Sequence, residues 1–205
     1  MASPPFTCRD CGSEFTLPAA TLARYANWTP RQCMSCRKPT PSRATKRPAL
    51  STDGTLDAYS DGPQSGIFTD GSCDPNPGRG GWGAVKVAEG EIVEERFGGA
   101  PDTTNNRMEL TALIEGYEMT APGEVVTIYS DSNLCVQTIN VWAAGWEKRG
   151  WKRKDGAIKN LDLVQELYAL AKTRPNATLE WIKAHVGSRW NEYADALARR
   201  HGSAP

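Results

Sequence analysis

Residues 67–73 read IFTDGSC. Ile67 and Phe68 followed by Thr69 look like the end of a buried strand, and Asp70-Gly71-Ser72 looks like the turn that follows it. An aspartate there has two readings. It opens a turn, or it is a carboxylate held at a strand end for chemistry. The residues downstream decide between them.

The pattern is regular from Gly66 onward. Gly83–Val87 and Ile92–Phe97 flank Glu89-Gly90-Glu91 and predict a hairpin. GRGGWG at 78–83 lacks the GK[ST] ending of a phosphate loop and reads as a turn into that hairpin. Apolar residues at 110, 113, 114 and 117 predict a helix over Asn105–Met119. Val125–Tyr129 predicts a buried strand, Ser132–Ile139 a short helix, Ile158–Ala171 a helix, Thr178–Ile182 a strand and Trp190–Arg200 a last helix. A hairpin followed by strands alternating with helices predicts an α/β domain, a mixed sheet with helices packed on it.

Composition sets the frame. The chain has 205 residues, 39% hydrophobic and 23% charged, which suits one globular domain plus a small module. No run of apolar residues is long enough for a membrane helix, and the N-terminus lacks a charged segment followed by an apolar one. A reducing, cytoplasmic setting, a monomer and no membrane association are therefore expected. The net charge is zero but uneven. Residues 1–65 hold eight Lys and Arg against five Asp and Glu, a net +3, and the remainder carries −3. Overall charge thus excludes nothing about nucleic acid, and local patches carry that argument.

Three segments follow: a cysteine-bearing module at 1–40, a linker at 41–65 and the regular domain at 66–205. The linker is rich in Pro, Ser, Thr and charge, with too little apolar surface to offset the entropy of ordering. The basic run that leads into it, Arg37, Lys38, Arg43, Lys46 and Arg47, reads equally as solvated chain or as a phosphate attractor without sequence preference. In the module, Cys8-x-x-Cys11 and Cys33-x-x-Cys36 form two knuckles 21 residues apart. Four thiolates in that spacing suit a closed structural zinc site, and so small a unit needs such a staple. Disulfides or unrelated thiols are the alternative. FTCRDCGSEFTL with its Pro-Arg-x-Cys-x-x-Cys-Arg ending, about residues 5–38, resembles the small bacterial zinc-ribbon family. That resemblance implies a zinc-bound ribbon with a nucleic-acid or protein partner. Phe15, Tyr25 and Trp28 read as its core or as stacking residues.

Four acids stand at telling places: Asp70, Glu109 early in a helix, Asp131 after VVTIYS, and Asp195 on the last helix. Each alone fits a turn, a cap or a helix-dipole role. Converging, they would repel unless cations neutralised them. Hard oxygen donors suit Mg²⁺ or Mn²⁺, and two such ions about 3.5–4 Å apart can serve both sides of a phosphodiester.

IFTDGSCDPNPGRGGWG, TTNNRMEL, YSDS, WEKRGWK, WIKAHVG and NEYADALA occur in the order of type 1 ribonuclease H, which the chain resembles over residues 66 to about 201. The resemblance implies that family's mixed five-stranded sheet flanked by helices. It implies an endonuclease cutting the RNA strand of RNA–DNA hybrids to leave 5'-phosphate and 3'-hydroxyl ends, with two Mg²⁺ (or Mn²⁺) held by Asp70, Glu109, Asp131 and Asp195. His185 matches the family's loop histidine, which assists the attacking water or product release. Minor-groove contacts fall to Asn76, Asn105, Asn133 and the backbone near Gly71 and Cys73, although Asn76 and Asn105 also fit turn and cap roles. VWAAGWEKRGWKRKDG resembles the family's basic protrusion, with Trp146, Lys148, Arg149, Trp151 and Lys152 expected on the DNA strand and Trp142 expected to hold the protrusion to the core. Of the family's DNA-phosphate pocket only Thr104 matches; Asp102 and Gly145 replace its Arg and Asn. A negative Asp102 near a phosphate is unfavourable. The zinc module and linker are therefore expected to supply affinity. A non-catalytic hybrid-binding protein and a DNA-acting nuclease of the same superfamily are the alternatives.

Overall fold

The computed structural model describes residues 5–8, 11–16, 61–153, 155–184 and 187–200. The chain divides into two units, Met1–Pro48 and Ala49–Pro205. His185, Cys33, Cys36, Tyr25, Trp28 and most of the linker lie outside the described residues.

In the first unit, β1 (Phe6–Thr7) pairs antiparallel with β2 (Glu14–Phe15). The Phe6 and Phe15 rings lie 5.9 Å apart. Between the strands the chain turns tightly: Cys8 N–H donates to Ser13 O and Gly12 N–H to Cys8 O, both at 2.9 Å. Cys8 is buried and Cys11 exposed.

The second unit carries a mixed five-stranded sheet. Its strands are β3 (Gly66–Cys73), β4 (Gly78–Ala88), β5 (Glu91–Thr103), β6 (Val126–Ser130) and β7 (Ala177–Trp181), in the order β5-β4-β3-β6-β7. β3, β4 and β5 form an antiparallel meander; β6 and β7 join parallel to β3. The central place of β3 explains its composition, since seven of its eight residues are buried. Helices α1 (Asn105–Glu118), α2 (Asn133–Gln137), α3 (Ala143–Lys148), α4 (Leu161–Lys172) and α5 (Arg189–Arg199) complete the unit. A π-helical stretch, Thr138–Trp142, joins α2 to α3, so the predicted short helix runs on into the protrusion.

Two clusters fill the core, one on each face of the sheet. On one, Leu110, Leu113, Ile114 and Tyr117 of α1 meet Ile67, Ile128, Val164 and Leu167. On the other, Trp190, Ala194 and Leu197 of α5 cover Phe68, Val85 and Val87. Alternation along β3 sends Phe68 to α5 and Ile67 to α1, as strand geometry requires.

Two expectations are corrected. Asp70 does not end its strand: β3 continues to Cys73 and pairs Asp70 with Gly83. The glycines of 78–83 are not a turn but the first half of β4. A Cβ on Gly83 would lie 2.5 Å from both Ala194 O and Leu197 Cβ, so only glycine lets α5 lie on the sheet there. The composition of a turn therefore served a close-packed strand.

Candidate active site

Asp70 sits mid-strand on β3 and is 6% exposed. Its neighbour Gly71 packs against α1 so closely that a Cβ would come within 2.2 Å of Glu109 N. That approach places Glu109, in the second turn of α1, beside the strand. Asp131 follows the last residue of β6, the parallel neighbour of β3. One carboxylate oxygen from each of Asp70, Glu109 and Asp131 lies within 4.8 Å of the others. Asp195, on α5, lies outside that trio but acts on Asp70 through a hydrogen bond and its charge. It accepts from Arg199 Nε at 3.0 Å, one turn along.

Burial holds the Asp70 carboxyl well above the usual range, and Glu109, Asp131 and Asp195 add repulsion in that order. Glu109 is raised too, first by burial and then by Asp131, while the Gly71 N–H opposes the shift. That same N–H donates to Asp70 Oδ1 at 2.9 Å. Glu109 Oε2 is buried and has no hydrogen-bond partner. A buried carboxylate oxygen without a donor costs free energy. A divalent cation would satisfy it and neutralise the trio, so the donor set fits a hard, oxygen-binding metal.

Two contacts were not read from the sequence. Asn191, 1% exposed, donates from Nδ2 to Asp131 Oδ2 at 3.2 Å. Trp181, at the end of β7, donates its indole N–H to Asp131 O at 3.1 Å. Asn191 lies four residues before Asp195, on the same helix face, and that spacing was the available signal.

The remaining expected residues make local contacts of their own. Asn76 Oδ1 accepts from Asn105 N–H at 3.3 Å. Asn133 N–H donates to Asp131 O at 3.1 Å, which sets Asn133 beside the trio. The cap of α1 is Thr104, whose hydroxyl accepts from Arg107 N–H, and Asn105 is the first helical residue. Buried Cys73 places its Sγ 3.3 Å from Pro75 O and holds the loop after β3. Gly145 faces the Arg149 guanidinium: a Cβ there would be 3.3 Å from Nη1. Asp102 is exposed on β5.

One expectation for the tryptophans of the protrusion is corrected. Trp146 and Trp151 pack against the core, Trp151 edge-on to Tyr168 at 6.1 Å. Trp142 does not anchor the segment; it is 40% exposed and tilted against Trp146 at 6.0 Å. It is the last residue of the π-helical stretch. Lys148, Arg149, Lys152 and Arg153 are exposed around it.

A mixed sheet with three carboxylates gathered at its centre defines a class of α/β domain built to hold divalent cations. The RNase H family model matches residues 63–203, and the chain belongs to that family. It is 50% identical over 135 residues to a ribonuclease H of Cupriavidus necator, covering 65% of this chain and 92% of that protein. It is 51% identical over 136 residues to a ribonuclease H of Herminiimonas arsenicoxydans, covering 65% and 91%. Among solved structures it resembles LC9-RNase H1, a type 1 RNase H with the type 2 active-site motif, with a TM-score of 0.58, 33% identity and coverage of 71% and 76%. It also resembles LC11-RNase H1, solved in complex with an RNA/DNA hybrid, with a TM-score of 0.50, 27% identity and coverage of 65% and 93%.

Proposed function

We propose that the chain is an endonuclease that hydrolyses the RNA strand of RNA–DNA hybrids, leaving 5'-phosphate and 3'-hydroxyl ends. The observation that carries this is the trio Asp70, Glu109 and Asp131, within 4.8 Å and with Glu109 Oε2 unpartnered. Asp195 completes the set. Asp70, Glu109, Asp131 and Asp195 would hold two Mg²⁺ or Mn²⁺ ions, which would supply charge neutralisation, a polarised phosphate and a more acidic attacking water. The chain's own part is to fix the donors. Gly71 brings β3 against α1, and Asn191 and Trp181 restrain Asp131 from two sides. His185 sits in the sequence where a proton could be passed to or from the reacting water.

Recognition of the RNA strand needs groups that read the 2'-OH. Asn76, Asn105 and Asn133, with the backbone of Gly71 and Cys73, would take this part, since amides both donate and accept. Exposed Trp142 with Lys148, Arg149 and Lys152 suits the DNA backbone, with Trp146 and Trp151 setting the surface. Thr104 joins a DNA phosphate contact only as far as its cap role allows.

For the N-terminal module we propose a structural zinc held by Cys8, Cys11, Cys33 and Cys36, in a chain organised as 1–40, 41–65 and 66–205. The tight turn from Cys8 to Ser13 supports it. We further propose that this module and the basic linker add substrate affinity, in a monomeric, cytoplasmic protein.

The test is cleavage of a labelled hybrid in Mg²⁺, beside duplex DNA and duplex RNA. Hybrid-specific cutting lost in Asp70→Asn is expected; cutting of duplex DNA would make it a DNA nuclease, and hybrid binding without cutting a passive module. Metal analysis of the full chain should find zinc that Cys8→Ser loses. Removal of the module must stop before Asp61, which pairs with Ser188, because Gln64 accepts from Gly90 N–H at 2.7 Å and from Trp190 Nε1 at 3.3 Å. Unchanged KM and salt dependence after that deletion would remove any role in affinity.

A further inference from the structure

Asp70, Gly83 and Phe97 form one cross-strand row, since Asp70 pairs with Gly83 and Gly83 with Phe97. Two strand spacings, about 10 Å, separate the ends of that row. Helix α5 covers the middle, with Ala194 and Leu197 over Gly83. On the far side of α5 from the carboxylates lies an open cleft of about 390 Å³. It is lined by Phe97 to Pro101 of β5 together with Arg79 and Arg200.

The chemistry of this cleft is particular. Phe97 is 48% exposed on the edge strand, an unfavourable place for a phenyl ring in water. The Arg200 guanidinium lies 5.7 Å from the ring centroid. Arg200 is tethered at 4.0 Å to Glu95, which in turn accepts from the Tyr193 hydroxyl at 2.5 Å. Arg79 stands at a slip in the β4–β5 register, where Gly78 pairs with Thr103 and Gly80 with Ala100. Such irregularities re-aim side chains near functional sites. No carboxylate lines the cleft among the described residues.

A mostly apolar cleft that carries an aromatic ring and two guanidiniums suits a nucleobase and its phosphates. An acidic peptide would match the arginines but leave the Phe97 ring unused. We infer that this cleft binds one unpaired nucleotide of a single strand that extends from the hybrid cut at Asp70. The inference rests on the hybrid-nuclease reading for its substrate and adds a second subsite across α5 from the first.

The experiment compares a short blunt hybrid with the same hybrid carrying a single-stranded tail, on the RNA or the DNA strand and at either end. The full chain is used, and KM and kcat are measured for each. At least one tailed substrate should show a KM about fivefold lower than the blunt one, with kcat unchanged, as one stacked base would give. Phe97→Ser and Arg79→Ala should each erase that difference and leave blunt-hybrid cleavage as it was; Phe97→Tyr should keep it. Which tail responds identifies the strand. Equal KM for all tailed and blunt substrates overturns the inference, while continued cleavage of the blunt hybrid leaves the nuclease reading standing. No cleavage of any hybrid would sink the nuclease reading instead. Persistence of the tail effect in both Phe97→Ser and Arg79→Ala also overturns the inference, as does capture of a labelled acidic peptide that Phe97→Ser abolishes when no tail effect exists.

Discussion

A Cβ on Gly71 would lie 2.2 Å from the backbone nitrogen of Glu109. The strand carrying Asp70 and the helix carrying Glu109 therefore touch backbone to backbone. Gly71→Ala should force them apart, costing about 1–3 kcal/mol from overpacking. Both carboxylates would move, so a fall in thermal stability should accompany at least a tenfold loss of Mg²⁺-dependent activity. Thermal unfolding and a metal titration of hybrid cleavage measure the two effects.

Asp70 and Glu109 give a pH dependence whose sign is opposite to that of an ordinary salt-bridged acid. Burial first, then neighbouring carboxylates, raise both above their unfolded values. The protonated folded form is thus favoured. Its contribution is fully present below the unfolded carboxylate pKa of about 4 and is lost as pH rises through the folded value. Metal-free protein should lose stability from about pH 4 upward. Asp70→Asn should flatten that slope and raise the metal-free Tm at neutral pH, while abolishing cleavage. Adding Mg²⁺ should raise the Tm of the unaltered chain and raise that of Asp70→Asn less, by mass action. Unfolding curves across pH, with and without chelator, check each part.

Asn191 holds Asp131 from a fully buried position. Asn191→Ala leaves that carboxylate less restrained and opens a small void. Groups that orient metal ligands typically cost about 10–100-fold in metal affinity when removed. The Mg²⁺ concentration for half-maximal activity should rise by about tenfold, with kcat at saturating Mg²⁺ falling less. An unchanged Mg²⁺ requirement would limit Asn191 to packing.

The protrusion separates stability from binding. Trp151 packs edge-on to Tyr168 and against the core, so Trp151→Ala should cost about 3 kcal/mol. Trp142 is exposed, so Trp142→Ala should stay within about 0.5 kcal/mol. Its effect should fall on KM for the hybrid. Chemical denaturation and steady-state kinetics distinguish the two tryptophans.

Cys135 should be inert. Burial, chiefly, pushes its thiol up to about 12. Alkylation at neutral pH should label it only on unfolding, as mass spectrometry before and after denaturant would show.

The sequence by itself determined the order of the main strands and helices from Gly66 onward, though not α3 or the first half of β4. Spacing marks α1 through Leu110, Leu113, Ile114 and Tyr117, and α4 through Val164 and Leu167, because a buried helix face repeats with the helical period. It also determined the acids: Asp70, Glu109, Asp131 and Asp195 stand out as a set, and the family resemblance rests on motifs around each. Tertiary structure decided what local chemistry left ambiguous. Gly78–Gly83 has the composition of a turn yet forms β4, because α5 lies on Gly83 and no side chain would fit. Asp70 looks like a turn former yet stands mid-strand, because β4 pairs with β3 beyond it as far as Cys73. Trp142 and Trp151 are alike in sequence, but one ends the π-helical stretch and is exposed while the other meets Tyr168. Asn191 became part of the site only when α5 packed on the sheet and brought its amide to Asp131. Periodicity records which face of an element is buried, whereas what it is buried against depends on residues far away in the chain.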